Sequence, residues 1–149
     1  MANGNTPLSS VRILVVDDYE PWRQQMCSML QTRPELRVIA EAADGLEAIQ
    51  KAQKLEPDLI LLDIGLPNLN GIEAAIRIRQ VAAGAKIIFL TQNSDKDIVL
   101  AALGTGAHGY VLKTDAGREL LNAMAGVLDG DDFVSSGIKG GDSSGTEST

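Results

Sequence analysis

The chain has 149 residues, 44% of them apolar, with a net charge of −7. That is one domain's worth, long enough to bury a core, and its 13 scattered basic residues argue against gripping nucleic acid directly. No apolar run approaches the roughly 18 residues that span a bilayer, the N-terminus MANGNTPLSS lacks a secretory apolar region, and a single Cys27 excludes an internal disulfide, which together predict a cytoplasmic protein with no membrane partner.

Residues 1–10 are small and polar and are expected to be disordered; an ordered domain is expected over 11–130, and a flexible tail or linker over 131–149, ending in GGDSSGTEST. Between the ends, aliphatic runs alternate with helical patterns. Val11–Val16 is the first predicted strand. Trp22, Met26, Met29 and Leu30 then follow at helical spacing, with Pro21 suited to the first turn. Leu36–Ala42 is the second strand, followed by a helix that Asp44 and Glu47 begin as a capping-box-like pair, with Leu46, Ile49 and Ala52 as its apolar positions. Leu59–Asp63 is the third strand, and Ile72, Ala75 and Ile76 mark the helix after it. Lys86–Thr91 precedes a helix with Val99, Ala102, Leu103 and Gly106 on its core side. Gly109–Lys113 is the fifth strand, and Thr114 is placed to cap a last helix carrying Leu120, Leu121, Met124 and Leu128. Nearly continuous apolar strands alternating with helices predict a doubly wound parallel α/β domain.

In such a sheet ligands bind outside the carboxyl ends of the strands. Strand one ends in Asp17 and Asp18, strand three in Asp63, strand four in Thr91 and strand five in Lys113. Converging carboxylates demand a cation, and an all-oxygen set favours Mg²⁺ or Mn²⁺. The lone His108 has no second histidine with which to build a different metal site. Carboxylate, divalent metal, ammonium and hydroxyl together suit a phosphoryl group on a carboxylate oxygen.

The segments ILVVDD, LILLDIGLPNLNG, IIFLT and GYVLK, in that order, resemble the receiver domain of two-component response regulators over residues 11–130. The resemblance implies a flavodoxin-like (βα)5 fold with a five-stranded parallel sheet in the order 2-1-3-4-5. It also implies that Asp63 is the phosphoacceptor, that Asp17 and Asp18 are the metal-binding pair, and that Gly65 offers its backbone carbonyl to the metal. Thr91 and Lys113 match the phosphate-binding hydroxyl and ammonium, and Tyr110 the aromatic that turns inward in the activated state. A sensor histidine kinase or phosphotransfer protein is the implied donor, and the implied role is a signalling switch rather than an enzyme. Two positions depart from the family pattern. Thr114 stands where many relatives have proline after a cis bond, and Gln92 stands where a small residue is usual, beside the expected phosphate.

The stretch ELLNAMAGVLDGDDFVSSGI is similar to receivers that precede a LuxR-type helix-turn-helix, and after Ile138 only linker-like residues remain. A single-domain regulator and a chain continued by a DNA-binding half both fit. An aspartyl-phosphate hydrolase would need a second aspartate where Gly65 stands; a flavin or nucleotide carrier would need a Gly-rich loop where DDYEPW stands. A degenerate receiver that only binds partners is opposed by the intact set of site residues. In the fourth helix, DIVLAALG leaves Leu100 on a flank and Ala101 and Gly104 on the outer side, where receivers usually carry charge. That apolar face is the expected contact surface for a homodimer or an output protein.

Overall fold

The five expected aliphatic runs form strands: β1 (Val11–Val16), β2 (Leu36–Ala42), β3 (Leu59–Leu62), β4 (Lys86–Thr91) and β5 (Gly109–Leu112). Helices α1 (Glu20–Leu30), α2 (Gly45–Leu55), α3 (Gly71–Val81), α4 (Lys96–Leu103) and α5 (Ala116–Leu128) alternate with them. The computed structural model describes residues 10–138, and the expectations for residues 1–9 and 139–149 fall outside that range. Residues 131–138, expected as part of a flexible tail, instead pack on the domain, with Phe133–Val134 in the sheet and Ser135 and Ile138 buried.

The sheet is flavodoxin-like and wholly parallel, but it has six strands rather than the expected five. A two-residue strand β6 (Phe133–Val134) extends the order to β2-β1-β3-β4-β5-β6. It pairs Phe133 with Gly109 and Tyr110 with Val134. Two residues are too few to show a hydrophobic period, so only the unpaired edge of β5 could reveal this strand.

The apolar runs hide a period of two. Leu14, Val16, Ile60, Leu62, Ile87 and Phe89 face one way, with Ala48, Ala52, Ala75, Ile78 and Ala102 from α2, α3 and α4 over them. Ile13, Val15, Leu59, Leu61, Ile88 and Leu90 face the other way, against Met26 and Leu30 of α1 and Leu120 and Met124 of α5. Each Leu or Ile buried in this way contributes about 1.5–3 kcal/mol.

Helix entries follow local chemistry with one exception. Asp44 caps α2 by accepting from Glu47 N–H at 2.8 Å, and Glu47 returns a bond to Ala43 N–H at 2.8 Å. Thr114, however, does not cap α5. It lies inside a single 3-10 turn, Lys113–Asp115, and Asp115 takes the cap position. Gly106 is not on the α4 core side either, because the helix ends at Leu103 and Gly106 is an exposed turn residue with φ of +92°. Leu46 and Ile76 lie at helical spacing with core residues yet are exposed at 44% and 40%.

Candidate functional site

Two backbone bonds set the site. Asp17 N–H donates to Ala42 O at 3.0 Å and Asp63 N–H to Val16 O at 3.1 Å, so the ladder runs one residue past β1 and β3 and fixes both aspartates at the sheet's mouth. One oxygen of each is held locally, Asp17 Oδ1 by Tyr19 N–H at 2.8 Å and Asp63 Oδ1 by Ile64 N–H at 2.7 Å. The other oxygens share one ammonium: Lys113 Nζ lies 2.6 Å from Asp17 Oδ2 and 3.1 Å from Asp63 Oδ2. Trp22 lies beneath it, its ring centroid 5.2 Å from Nζ, within reach of a cation–π attraction.

One cation does not balance this group. Asp18 is exposed beside the buried pair, and an oxygen from each of Asp17, Asp18 and Asp63 lies within 4.8 Å of the others. The short Lys113–Asp17 contact is poorly aligned as a hydrogen bond, which leaves Asp17 Oδ2 a buried acceptor without an aligned donor. Burial pushes the Asp17 carboxyl above its ordinary value, against the pull of Lys113 and Tyr19, and the Asp63 charge adds to the rise. For Lys113, burial would lower the ammonium, but bonding to Asp17 and the Asp63 charge outweigh it and the net shift is upward. Hard oxygen donors and three carboxylates facing a single ammonium fit a divalent cation such as Mg²⁺.

An open pocket of about 410 Å³ surrounds the group, lined by Asp17, Asp18, Tyr19, Asp63, Gly65, Thr91, Gln92, Asn93 and Lys113. Thr91, buried at the end of β4, accepts a long bond from Asn93 N–H at 3.4 Å. Gln92 and Gly65 are exposed at the rim. Tyr110 is fully buried against Phe89, ring centroids 6.1 Å apart, and donates to Asn93 O at 2.6 Å. Burial, with the Asp63 and Asp95 charges, pushes its phenol up to about 12, so it stays a donor at neutral pH.

The loop after β3 closes on the site through Gly71. Gly71 N–H donates to Ile64 O at 2.8 Å, and a Cβ at Gly71 would sit 1.9 Å from Asp63 O, so only glycine fits. Among the described residues there is no cis peptide bond, the Lys113–Thr114 link included.

Of the site residues expected from the sequence, Asp17, Asp18, Asp63, Gly65, Thr91, Gln92 and Lys113 line one mouth, and Tyr110 lies buried behind it. Leu100, Ala101 and Gly104 are exposed on or just after α4, while Val99 and Ala102 are buried. From spacing alone Trp22 reads as one more apolar position of its helix, and Tyr19 and Asn93 carry no motif signal. The usable signal was position: all three fall within the first turns after strand ends that carry Asp17 and Thr91.

A family model described as the response regulator receiver domain matches residues 13–125. The chain is 35% identical over 130 residues to the transcriptional regulatory protein LiaR of Bacillus subtilis, covering 87% of this chain and 62% of that protein. It is 38% identical over 120 residues to LnrK of the same organism, covering 80% and 54%. The chain thus spans little more than half the length of the curated relatives it matches. Among solved structures, a LuxR-family two-component response regulator from Aurantimonas sp. SI85-9A1 superposes with a TM-score of 0.84 at 36% identity, covering 88% of this chain and 94% of that one. Among the described residues no helix is long and apolar enough to cross a membrane. With the matched family model covering most of the chain and the acidic mouth in the expected place, this chain belongs to the response regulator receiver domain family, the signalling switches of two-component systems.

Proposed function

We propose that Asp63 accepts a phosphoryl group from a sensor histidine kinase or a phosphotransfer protein. The observation that carries the reading is the Asp17–Asp18–Asp63 cluster around Lys113, with Asp17 Oδ2 buried and lacking an aligned donor. Asp17, Asp18, Asp63 and the Gly65 carbonyl would hold Mg²⁺ or Mn²⁺, which when bound supplies Lewis-acid neutralisation of phosphoryl oxygens. An Asp63 carboxylate oxygen attacks phosphorus while the P–N bond to the donor imidazole breaks, and the ring nitrogen keeps the electron pair. Lys113, now shared by two carboxylates, turns its ammonium to the new phosphoryl oxygens. Thr91 presents its hydroxyl to the same group, and buried Tyr110 fills the space behind it. Gln92, exposed at the rim, shields the acyl phosphate from water.

Intact-mass measurement after incubation with acetyl phosphate tests the assignment. One phosphoryl group should appear with Mg²⁺ or Mn²⁺ and not without, and an Asp63→Asn protein that still takes up phosphate would overturn it.

The output surface in this reading is α4. Leu100 is 59% exposed, with Ala101 and Gly104 exposed near it. A homodimer or an output protein docks there when Asp63 is phosphorylated. The net charge of −7 supports a role without direct nucleic-acid contact by this chain. Sedimentation with and without beryllofluoride, beside Leu100→Glu, tests the surface. If both proteins stay monomeric in both states and Leu100→Glu leaves output binding unchanged, the surface is wrong.

A further inference from the structure

We propose that Asp115 and Ser135 are positioning residues for Lys113, so that the strap of residues 133–138 after α5 is coupled to the phosphoryl site. This rests on the role given to Lys113 above. Lys113 begins the 3-10 turn that Asp115 ends, closed by Ala116 N–H donating to Lys113 O. Asp115 stands at the cap of α5, yet its side chain accepts nothing from the helix's own backbone. Its carboxylate faces the strap instead. Oδ2 accepts from the Ser135 hydroxyl and from Gly137 N–H at 3.3 Å, and Oδ1 pairs with Arg118 Nη2 at 2.5 Å.

This carboxylate is buried, 6% exposed, and Ser135 is wholly so. A buried acceptor that loses its donor costs about 1–3 kcal/mol, more when charged, so the turn has good reason to follow the strap. Close packing reinforces the link: a Cβ on Gly137 would lie 2.9 Å from Asp115 Oδ2 and 3.1 Å from Leu112 Cδ1. The strap is also tied to Tyr110, since Ser135 N–H donates to Tyr110 O at 2.8 Å, and Ile138 packs in the same apolar cluster as Tyr110 and Leu112. Lys113 holds Nζ 2.6 and 3.1 Å from two carboxylates, so the seating of its turn sets the position from which the ammonium reaches the phosphoryl group. Coupling is reciprocal, so a change at the phosphoryl site alters how the strap is seated.

The strap carries its own control. Ser136, exposed, bonds Glu119 through both its N–H, at 3.0 Å, and its hydroxyl; Glu119 Oε1 also lies 3.1 Å from Ser135 Oγ, but neither Ser136 bond touches Asp115 or the Lys113 turn. The test uses the full chain as Ser135→Ala, Ser135→Thr and Ser136→Ala. Trp22, the only tryptophan, reports the Lys113 ammonium by its emission in metal-free protein, and acetyl phosphate reports uptake at Asp63. Ser135→Ala should shift Trp22 emission and slow uptake about fivefold while Mg²⁺ affinity stays within about twofold. Ser135→Thr should restore both, and Ser136→Ala should change neither. Parent-like emission and uptake in Ser135→Ala overturn the proposal. So does a loss that follows melting temperature equally in both alanine variants. If the parent protein takes up no phosphoryl group, the Asp63 reading fails and the emission comparison alone decides: a shift confined to Ser135→Ala upholds the coupling, and its absence refutes it.

Discussion

The two ends of the sheet carry hollows of similar size, about 410 Å³ at the carboxyl ends of the strands and about 420 Å³ at the amino ends. The second is lined by Glu56, Pro57, Asp58 and residues 81–85, and the neighbouring Arg12 ties its floor together. Asp58 Oδ2 accepts from Arg12 N–H at 2.8 Å, and the Arg12 guanidinium donates to Leu55 O and Glu56 O at 2.7 and 2.8 Å. At the carboxyl end, three carboxylates face one ammonium and a buried oxygen lacks an aligned donor. Volume does not mark a functional site here. Unbalanced charge held in place by a rigid backbone does.

The sharpest test of that contrast removes one cation from each end. Lys113→Ala should slow phosphoryl uptake from acetyl phosphate about 10²-fold, the usual scale for losing one donor to developing charge. Arg12→Ala should leave uptake unchanged and cost about 1–2 kcal/mol in denaturant unfolding, through its lost bonds to the α2 C-terminus. If Arg12→Ala slows uptake as much as Lys113→Ala, the two ends do not differ in kind.

A matched pair of glycines comes next. A Cβ at Gly71 would overlap Asp63 O, whereas Gly84 at the other end has nothing within 4 Å of the same atom. Gly71→Ala should therefore destabilise by about 2–3 kcal/mol and displace Asp63, while Gly84→Ala stays within about 0.5 kcal/mol. Chemical denaturation of both variants measures this.

Charge relief separates metal binding from folding. Asp18→Ala should weaken Mg²⁺ about tenfold, read by Trp22 fluorescence, with a melting temperature equal to or above the parent's because one repelling carboxylate is gone. A melting temperature well below the parent's would contradict it. Burial raises Asp17 above 3.8, so on acidification it regains its proton earlier than an ordinary aspartate. Mg²⁺ affinity should be full at neutral pH and fall as pH drops through that raised value, and a titration that loses affinity only below 3.8 would refute this.

The smallest effect expected is at the rim. Gln92→Ala should speed loss of the Asp63 phosphoryl group a few-fold, about 1 kcal/mol or less, and change Mg²⁺ affinity less than that. Equal decay rates in the two proteins would remove the shielding role.

Much of the molecule follows from the order of residues alone. Strands that are apolar throughout and end in Asp17, Asp18, Asp63, Thr91 or Lys113 specify a parallel sheet and a polar mouth, because side-chain burial and strand polarity are local properties of the chain. The family motifs named the same residues, since reactive groups must sit at fixed distances from the strand ends that present them. Helix entries at Asp44 and Asn70 were similarly local, each accepting from the N–H three residues on. Other features depended on partners distant in sequence. Strand β6 exists because Phe133 and Val134 find the open edge of β5, and two residues carry no signal without that edge. Thr114 lost the capping position to Asp115, whose carboxylate is drawn to Ser135, 20 residues later, rather than to its own helix. Trp22 reads as one more apolar helix residue until the fold brings Lys113 over its ring. Lys113 itself lies 50 residues from Asp63, and its sharing with Asp17 is settled only when β1, β3 and β5 register side by side. Sequence determines which groups a strand end presents; the tertiary structure decides which of them share a charge, because Coulomb and hydrogen-bond partners are chosen by distance in space.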